Sequence, residues 1–381
     1  MLDRLTFVTT RGRHVYIYGA SRGRPRVDDI TPEPVALQQR LDLLTDTWIA
    51  ISPARNERPD SGDRGSDDSA RCPLCPGGPD VPFEYDACVF DNRYPALVAN
   101  PPQTADDARV APARGRCEVV LYTSRHEGSL ATLTPLELAR VVAIWRDRTA
   151  ELWADPGHQF VMAFENRGEA VGATLSHPHG QIYAVDHVPP FIAGRIAALA
   201  RFRERNAACL GCRVVATDGE SNRLVAANRS FVVAVPFAAR WPFEVHVRAR
   251  RHGLRRLTDL RLGEQRDLAR ALRDVVVRYR SVFAVELPYM MVALEAPGPV
   301  EDWHLAFEFY PPHRSERLMK VRASVETATG LFINDTLPEV TANQLAALPG
   351  PPCDELPALV VRRVEQPYGR HARSGHDPAR R

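Results

Sequence analysis

The chain has 381 residues, 44% of them hydrophobic, so it can bury a sizeable core and is long enough for two or three domains. Lys plus Arg number 49 against 47 Asp plus Glu, and a net charge of +2 excludes the strong field that favours nucleic acid or membrane surfaces. No run approaches the roughly 18 apolar residues of a membrane span, and Met1-Leu2-Asp3-Arg4-Leu5 lacks a secretory apolar core, so a cytoplasmic protein is expected.

In chain order, His14–Tyr18 and Trp48–Ile51 read as strands, being short runs of β-branched and aromatic residues. Ser52-Pro53-Ala54-Arg55-Asn56-Glu57-Arg58-Pro59 follows, then a Gly/Ser/Asp stretch through Ser69 with the composition of a loop. Cys72-Pro73-Leu74-Cys75-Pro76-Gly77-Gly78-Pro79 is a tight turn carrying the first of two Cys-x-x-Cys pairs. Such pairs in a reducing compartment point to metal or redox chemistry rather than disulfides. Glu118–Tyr122 is a strand that runs to Arg125-His126. Pro135 opens a helix with Leu136, Ala139, Val142, Ala143, Trp145 and Leu152 as its apolar face. Strands at Phe160–Phe164 and Ile182–Val185 flank His177-Pro178-His179-Gly180-Gln181. The two imidazoles are expected on opposite faces of an extended chain, one towards a metal or the core and the other towards a cleft.

The second half repeats this order. Cys209/Cys212, Asn228, the strand Phe243–Val247, Arg251-His252, a helix with Leu262, Leu268, Leu272, Val275 and Val276, the strand Tyr289–Ala293 and His304 follow one another. The offsets between matching residues are 137 (Cys72 to Cys209), 136 (Asn92 to Asn228), 126 (His126 to His252) and 127 (His177 to His304), which points to a duplicated α+β unit. The expected architecture is mainly antiparallel sheet with flanking helices, the two copies joining into one larger sheet.

Cys72, Cys75, His126 and His177 form a Cys2His2 set of the kind zinc favours, and Cys209, Cys212, His252 and His304 form a second in matching order. Four protein ligands leave no open position, so both sites are expected to be structural. The halves differ two residues beyond the last ligand, where His177-Pro178-His179 faces His304-Leu305-Ala306. Only the first half keeps a second histidine, and neutral imidazole is a competent nucleophile towards phosphorus at physiological pH. Gln181, two residues along the same face, can donate to a phosphoryl oxygen as charge builds. Arg55 and Arg58 offer planar forks to phosphate, while Asp91-Asn92 and Glu165-Asn166 supply groups suited to ribose and base edges. No Walker-type or dinucleotide-binding glycine fingerprint is present.

These residues resemble the galactose-1-phosphate uridylyltransferases of the histidine triad superfamily. The resemblance rests on Phe164-Glu165-Asn166-Arg167-Gly168, His177-Pro178-His179-Gly180-Gln181, Ser52-Pro53 with Arg55 and Arg58, Cys72/Cys75, Phe237–Glu244 and Tyr310-Pro311-Pro312. It spans about residues 45 to 345. A tail at 351–381 is expected to be disordered, being rich in Arg, His, Pro and Gly beyond about Glu365, and the resemblance implies two histidine-triad-like units at residues 1–195 and 196–350. It further implies a ping-pong exchange in which UDP-glucose uridylylates His179 and galactose 1-phosphate takes the group onward. Asn92, Asn166 and Thr174 would contact the nucleotide. Lys320 and Glu326 would hold the hexose phosphate, partly across a homodimer interface. The glutamine that completes that subsite falls near Phe332, and Arg322-Ala323-Ser324 replaces a glycine-containing turn. Some bacterial members carry an iron site in the second half; Leu294–Pro297 and Leu305–Glu308 lack its histidines, so no iron is expected. Transfer of adenine nucleotides, a different sugar 1-phosphate as acceptor, or a binding protein that holds nucleotide without turnover are the alternatives to this reading.

Overall fold

The computed structural model describes residues 1–9, 12–19, 37–57, 72–173, 175–283, 285–352 and 354–364. Arg58, Thr174, the loop at 60–69 and the end of the tail lie outside these residues. In chain order the first half has β1 (Leu2–Val8), β2 (His14–Tyr18), β3 (Gln38–Asp42), β4 (Thr47–Ile51), β5 (Ala87–Asp91), β6 (Val110–Pro112) and β7 (Gly115–Leu121). Helix α1 (Pro135–Ala154), β8 (Phe160–Arg167), β9 (His179–Val185) and α2 (Pro190–Asn206) follow. The second half has α3 (Leu210–Gly219), β10 (Leu224–Ala227), β11 (Phe231–Ala234), β12 (Val245–Ala249), α4 (Leu262–Val282), β13 (Tyr289–Leu294) and β14 (Ala306–Tyr310). The chain closes with α5 (Ser324–Thr329), α6 (Pro338–Ala347) and β15 (Val361–Val364).

Twelve strands form one sheet in the order β10-β11-β12-β14-β13-β8-β9-β7-β5-β2-β1-β15, and β4-β3-β6 form a small second sheet. All named pairs are antiparallel except β1 with β15, so the fold is α+β with a mainly antiparallel sheet, as the strand patterns imply. The seam is the β8–β13 pair. Outward from it, β8-β9-β7-β5 on one side is mirrored by β13-β14-β12-β11 on the other. Asn92 and Asn228, matched by offset, break the mirror: Asn92 follows β5, whereas Asn228 precedes β11.

Pleating assigns the two faces, because alternate residues of a strand point opposite ways. Val161 and Ala163 on β8, Val120 on β7 and Val245 and Val247 on β12 pack in one core with Leu138, Val142 and Trp145 of α1 and Leu268, Leu272 and Val276 of α4. Phe160 on β8 meets Ile192 and Leu199 of α2 on the other face, and Phe90 on β5 meets Cys72 and Leu74 there. Thr134 caps α1: its hydroxyl accepts from the Glu137 amide at 3.3 Å, its own amide donates to the Glu137 carboxylate at 2.8 Å, and Pro135 fills the first turn. Leu136 and Leu262, expected on apolar faces, are 49% and 50% exposed. Leu136 stands about 200° around the helix from the buried Leu138, so the first-turn leucine points to solvent.

The disordered tail expected from residue 351 does not begin there. Leu356 and Leu359 are buried in the main core, and β15 pairs in parallel with β1, Leu2 against Val361 through Leu5 against Val364. The adjacent arginines of Val361-Arg362-Arg363-Val364 mask a short edge strand, whose Arg362 pairs with Asp3 at 2.7 Å. Among the described residues, no helix is long and apolar enough to cross a membrane.

Candidate active site and metal clusters

On the face of the sheet opposite α1 and α4, a cleft of about 360 Å³ opens over β9, β8, β7 and β5. His179, Gln181 and Tyr183 line it as the alternate residues of β9, with Val119 opposite Gln181 on β7 and Phe164 opposite it on β8. Arg55, Asn92 and Asn166 also line it. The structure therefore gathers every described residue expected at the nucleotide except Asp91 and Glu165. Asp91 pairs with Arg116 at 2.6 Å and with His14 at 3.1 Å. Glu165 points to the other side of β8, where it is buried and accepts from the Tyr289 hydroxyl at 2.8 Å. Their neighbours Asn92 and Asn166 reach the cleft because a strand presents only alternate residues to one face.

The hydrogen bonds orient the polar groups. The His177 carbonyl can only accept, so its 2.7 Å contact with His179 Nδ1 puts the proton on that nitrogen and leaves Nε2 with a free lone pair. Burial lowers the His179 pKa, chiefly by desolvating the charged form, with Arg167 adding repulsion; the imidazole is neutral near pH 7. The Tyr94 amide donates to Asn92 Oδ1 at 2.9 Å, so Asn92 must turn its Nδ2 outward, where it donates to Gln181 Oε1 at 3.2 Å. Gln181 is thereby left with its amide N–H groups free for a ligand. Arg55 is fixed by donating to the Tyr94 carbonyl at 3.1 Å and the Tyr183 hydroxyl at 3.3 Å.

Gly180 sits between these two cleft residues with its α-carbon against the layer beneath. A β-carbon there would collide with the Tyr122 hydroxyl and lie 2.9 Å from the Phe164 carbonyl oxygen. Tyr183, Phe90 and Tyr94 are not singled out by the sequence, and Phe164 figures there only as a strand end and motif residue. The period-2 step from Gln181 to Tyr183 is a signal that would have found the first.

His177 and His179 do part company, but not by pleating. Residues two apart in an extended strand share a face; the chain bends at His177-Pro178, and β9 begins only at His179. The bend sends His177 into a cluster with Cys72, Cys75 and His126, one ligand atom from each lying within 4.8 Å of all the others. Cys75 Sγ is 3.4 Å from His126 Nδ1 and 3.6 Å from His177 Nδ1, and Cys72 Sγ is 4.0 Å from His177 Nδ1. The sulfur–nitrogen edge of a tetrahedral Cys/His metal site is about 3.5 Å, so the donors fit a single ion. The other nitrogen of His177 donates to the Thr123 carbonyl at 2.9 Å and lies 3.1 Å from the Tyr85 hydroxyl. Such a partner fixes the ring with its ligating nitrogen unprotonated. Burial lowers the His177 pKa to about 4, while burial and the adjacent Cys72 push Cys75 up to about 11, so thiolate there requires a cation.

Cys209, Cys212, His252 and His304 form a second such cluster. Cys212 Sγ lies 3.6 Å from His252 Nδ1 and 3.4 Å from His304 Nε2, and Cys209 Sγ lies 3.6 Å from His304 Nε2. His304 presents the opposite nitrogen from His177, since its Nδ1 donates to the Ala249 carbonyl at 2.8 Å. Gly211 lets the first turn of α3 close over this ring, because a β-carbon there would collide with His304 Cδ2.

Lys320 and Glu326 lie elsewhere than the cleft lining. They pair with each other at 2.6 Å, and Lys320 also donates to the Ile333 carbonyl. In the second-half stretch Leu305–Glu308, Glu308 is buried and pairs with Arg195 at 2.8 Å.

Two family models match the chain: galactose-1-phosphate uridyl transferase, N-terminal domain, over residues 29–189, and its C-terminal domain over residues 200–353. The chain belongs to the galactose-1-phosphate uridyl transferase family. A relative from Thermotoga maritima, named galactose-1-phosphate uridylyltransferase, is 38% identical over 317 residues, covering 81% of this chain and 98% of its own. One of the same name from Haemophilus influenzae is 30% identical, covering 81% of this chain and 94% of its own. A solved structure titled as a uridylyltransferase superimposes with a TM-score of 0.74 at 34% identity, over 82% of this chain and 98% of that one.

Proposed function

We propose that the chain moves a uridylyl group from UDP-glucose to galactose 1-phosphate through a covalent intermediate on His179. The observation that carries this reading is the His179 tautomer: with Nδ1 donating to the His177 carbonyl, Nε2 is the unprotonated nitrogen of a residue lining the cleft. Family membership and the relatives' names support the substrates. In the first half-reaction Nε2 attacks the α-phosphorus of UDP-glucose, an N–P bond forms, the bridging P–O bond breaks, and glucose 1-phosphate leaves with the bond's electron pair. In the second, a phosphate oxygen of galactose 1-phosphate attacks the same phosphorus, the N–P bond breaks, and neutral imidazole is restored. Gln181 donates its free amide to the phosphoryl oxygen that gathers charge, and Arg55 offers its fork to phosphate. Asn92 holds Gln181 in that orientation, and Asn166 serves the nucleotide alongside Thr174; Arg58 assists Arg55.

Both Cys2His2 clusters are read as structural zinc sites. Their donor set, edge lengths and carbonyl-anchored imidazoles support this ion. Zinc at the first would hold the bend at His177 and so set the start of β9. Lys320 and Glu326 are read as hexose-phosphate ligands completed in a homodimer, and the units as residues 1–195 and 196–350. The test is isotope exchange: labelled glucose 1-phosphate should enter UDP-glucose without any acceptor sugar. Exchange supported by an adenine nucleotide and not by UDP-glucose would overturn the reading.

A further inference from the structure

A second pocket, of about 550 Å³, opens over β12 and α3 in the second half, where β12 mirrors the β7 that contributes to the catalytic cleft. His246 stands opposite Glu308 in the β12–β14 register as Val119 stands opposite Gln181 in the β7–β9 register. Both pockets lie on the same face of the sheet, since Val245 and Val247 on either side of His246 pack with α4. The nucleophile's counterpart is Ala306, so this pocket holds no equivalent of His179.

What it holds instead is guanidinium. Arg195, Arg213, Arg223, Arg240 and Arg248 all line it. Against these five stand three buried carboxylates. Asp218 takes Arg223 at 3.1 Å and Arg248 at 2.7 Å, Glu308 takes Arg195 at 2.8 Å, and Glu244 lies 3.6 Å from Arg240. Glu339, outside the lining, lies 3.8 Å from Arg223. Arg213 is exposed on α3 and has no ion-pair partner among the described residues. His246 adds no compensation: its Nε2 donates to Glu244 at 2.7 Å and its Nδ1 accepts from Arg248, which defines a neutral ring. The pocket therefore carries more fixed positive than negative charge, and a concave site lined by one sign of charge focuses the field on an anion. Burial lowers the Arg248 pKa, as expected of a guanidinium whose compensation is incomplete. At the rim, Phe237 is 78% exposed, with the Arg223 guanidinium 5.3 Å from its ring centroid, so an apolar ring stands beside the cationic floor.

We propose that this pocket is a second, non-catalytic binding site for the phosphate group of a small phosphorylated molecule, seated on Arg213, Arg240 and Arg248. Planar guanidinium forks match phosphate oxygens in pairs, and the exposed Phe237 ring offers a face for an attached sugar or base. The site is independent of uridylyl transfer at His179.

Equilibrium dialysis of the full, metal-loaded chain against labelled inorganic phosphate tests this, with uridine monophosphate as a second probe carrying a ring. Arg213→Ala and Thr217→Glu change exposed residues of α3; each should weaken a saturable phosphate site at least fivefold, and Arg213→Lys should recover part of the loss. Exchange between UDP-glucose and glucose 1-phosphate should be unchanged in all three, and metal content should match wild type. A greater loss for uridine monophosphate than for phosphate in Phe237→Ser would assign the ring to the rim. Binding of phosphate by Arg213→Ala and Thr217→Glu with wild-type affinity, or loss of all phosphate binding on Arg55→Ala alone, would overturn the proposal. Because phosphate is counted directly, an inactive catalytic cleft would leave this result readable.

Discussion

Gly180→Ala adds one methyl group and should cost far more activity than its size implies. The new carbon would collide with the Tyr122 hydroxyl and stand 2.9 Å from the Phe164 carbonyl oxygen and 3.1 Å from Tyr122 Cζ. Relief to ordinary contact needs roughly half an ångström against the carbonyl and more against the hydroxyl. Tyr122 is fully buried and stacks edge-on against Trp145, and Phe164 is held in register opposite Gln181, so neither neighbour can yield freely. The strain therefore lifts β9 and moves both cleft residues that flank Gly180. Overpacking of this kind costs about 1–3 kcal/mol of stability. Misplacing a reacting group by about 1 Å costs on the order of 100-fold in rate. The assay is label exchange between UDP-glucose and glucose 1-phosphate at saturating substrate, with a thermal melt in parallel. Tyr122→Phe in the Gly180→Ala background removes the hydroxyl and should recover part of both losses. An exchange rate for Gly180→Ala within twofold of wild type would show that β9 has slack the packing denies it.

Other expectations follow from the remaining groups. His179→Ala should abolish exchange and keep metal and melting temperature, whereas His177→Ala should lose one metal and stability together; equal metal retention in the two would refute the division between them. Elemental analysis should find zinc approaching two per chain, with Cys212→Ala losing one equivalent and keeping exchange. Burial raises the Glu165 pKa to about 7 from 4.5, so between those values the unfolded chain ionises while the folded chain holds its proton. Stability contributed at this site is thus intact below pH 4.5, falls by about 3 kcal/mol as pH rises to 7, and stays level above it. Glu165→Gln should leave stability at pH 4.5 unchanged and raise it at pH 8, read by denaturant unfolding. Truncation after residue 355 removes β15 with the buried Leu356 and Leu359, and should cost roughly 2–5 kcal/mol for each leucine's packing, seen as a lowered melting temperature.

Much of the candidate site was legible because its chemistry depends on residue type at fixed spacing. Cys-x-x-Cys with two later histidines, repeated in order, anticipated both four-residue clusters, since only convergence of those side chains explains two matching sets. The contrast between His179 and Ala306 singled out the cleft in the same way. Orientation was less accessible. That His177 and His179 diverge depends on a bend, not on strand geometry, and that Asn92 rather than Asp91 faces the cleft depends on which residue ends β5. The opposite ring nitrogens presented by His177 and His304 are set by the Thr123 and Ala249 carbonyls, which no side-chain motif encodes. β15 was missed because an edge strand needs only four residues and one apolar contact face. The arginine pocket was hidden for another reason: a net charge of +2 says nothing of where five guanidinium groups meet.

The parallel pairing of β15 with β1 joins strands from opposite ends of the described chain. Ribosomal synthesis delivers them in that order, so this backbone edge of β1 stands unpaired until β15 has emerged. Leu2, Leu5 and Phe7 are buried in the finished fold, and an unpaired strand of that composition is a template for pairing with another chain. Pairing with β15 is therefore also the step that withdraws this edge from misassociation, and a nascent or truncated chain carries that hazard for as long as the step is delayed.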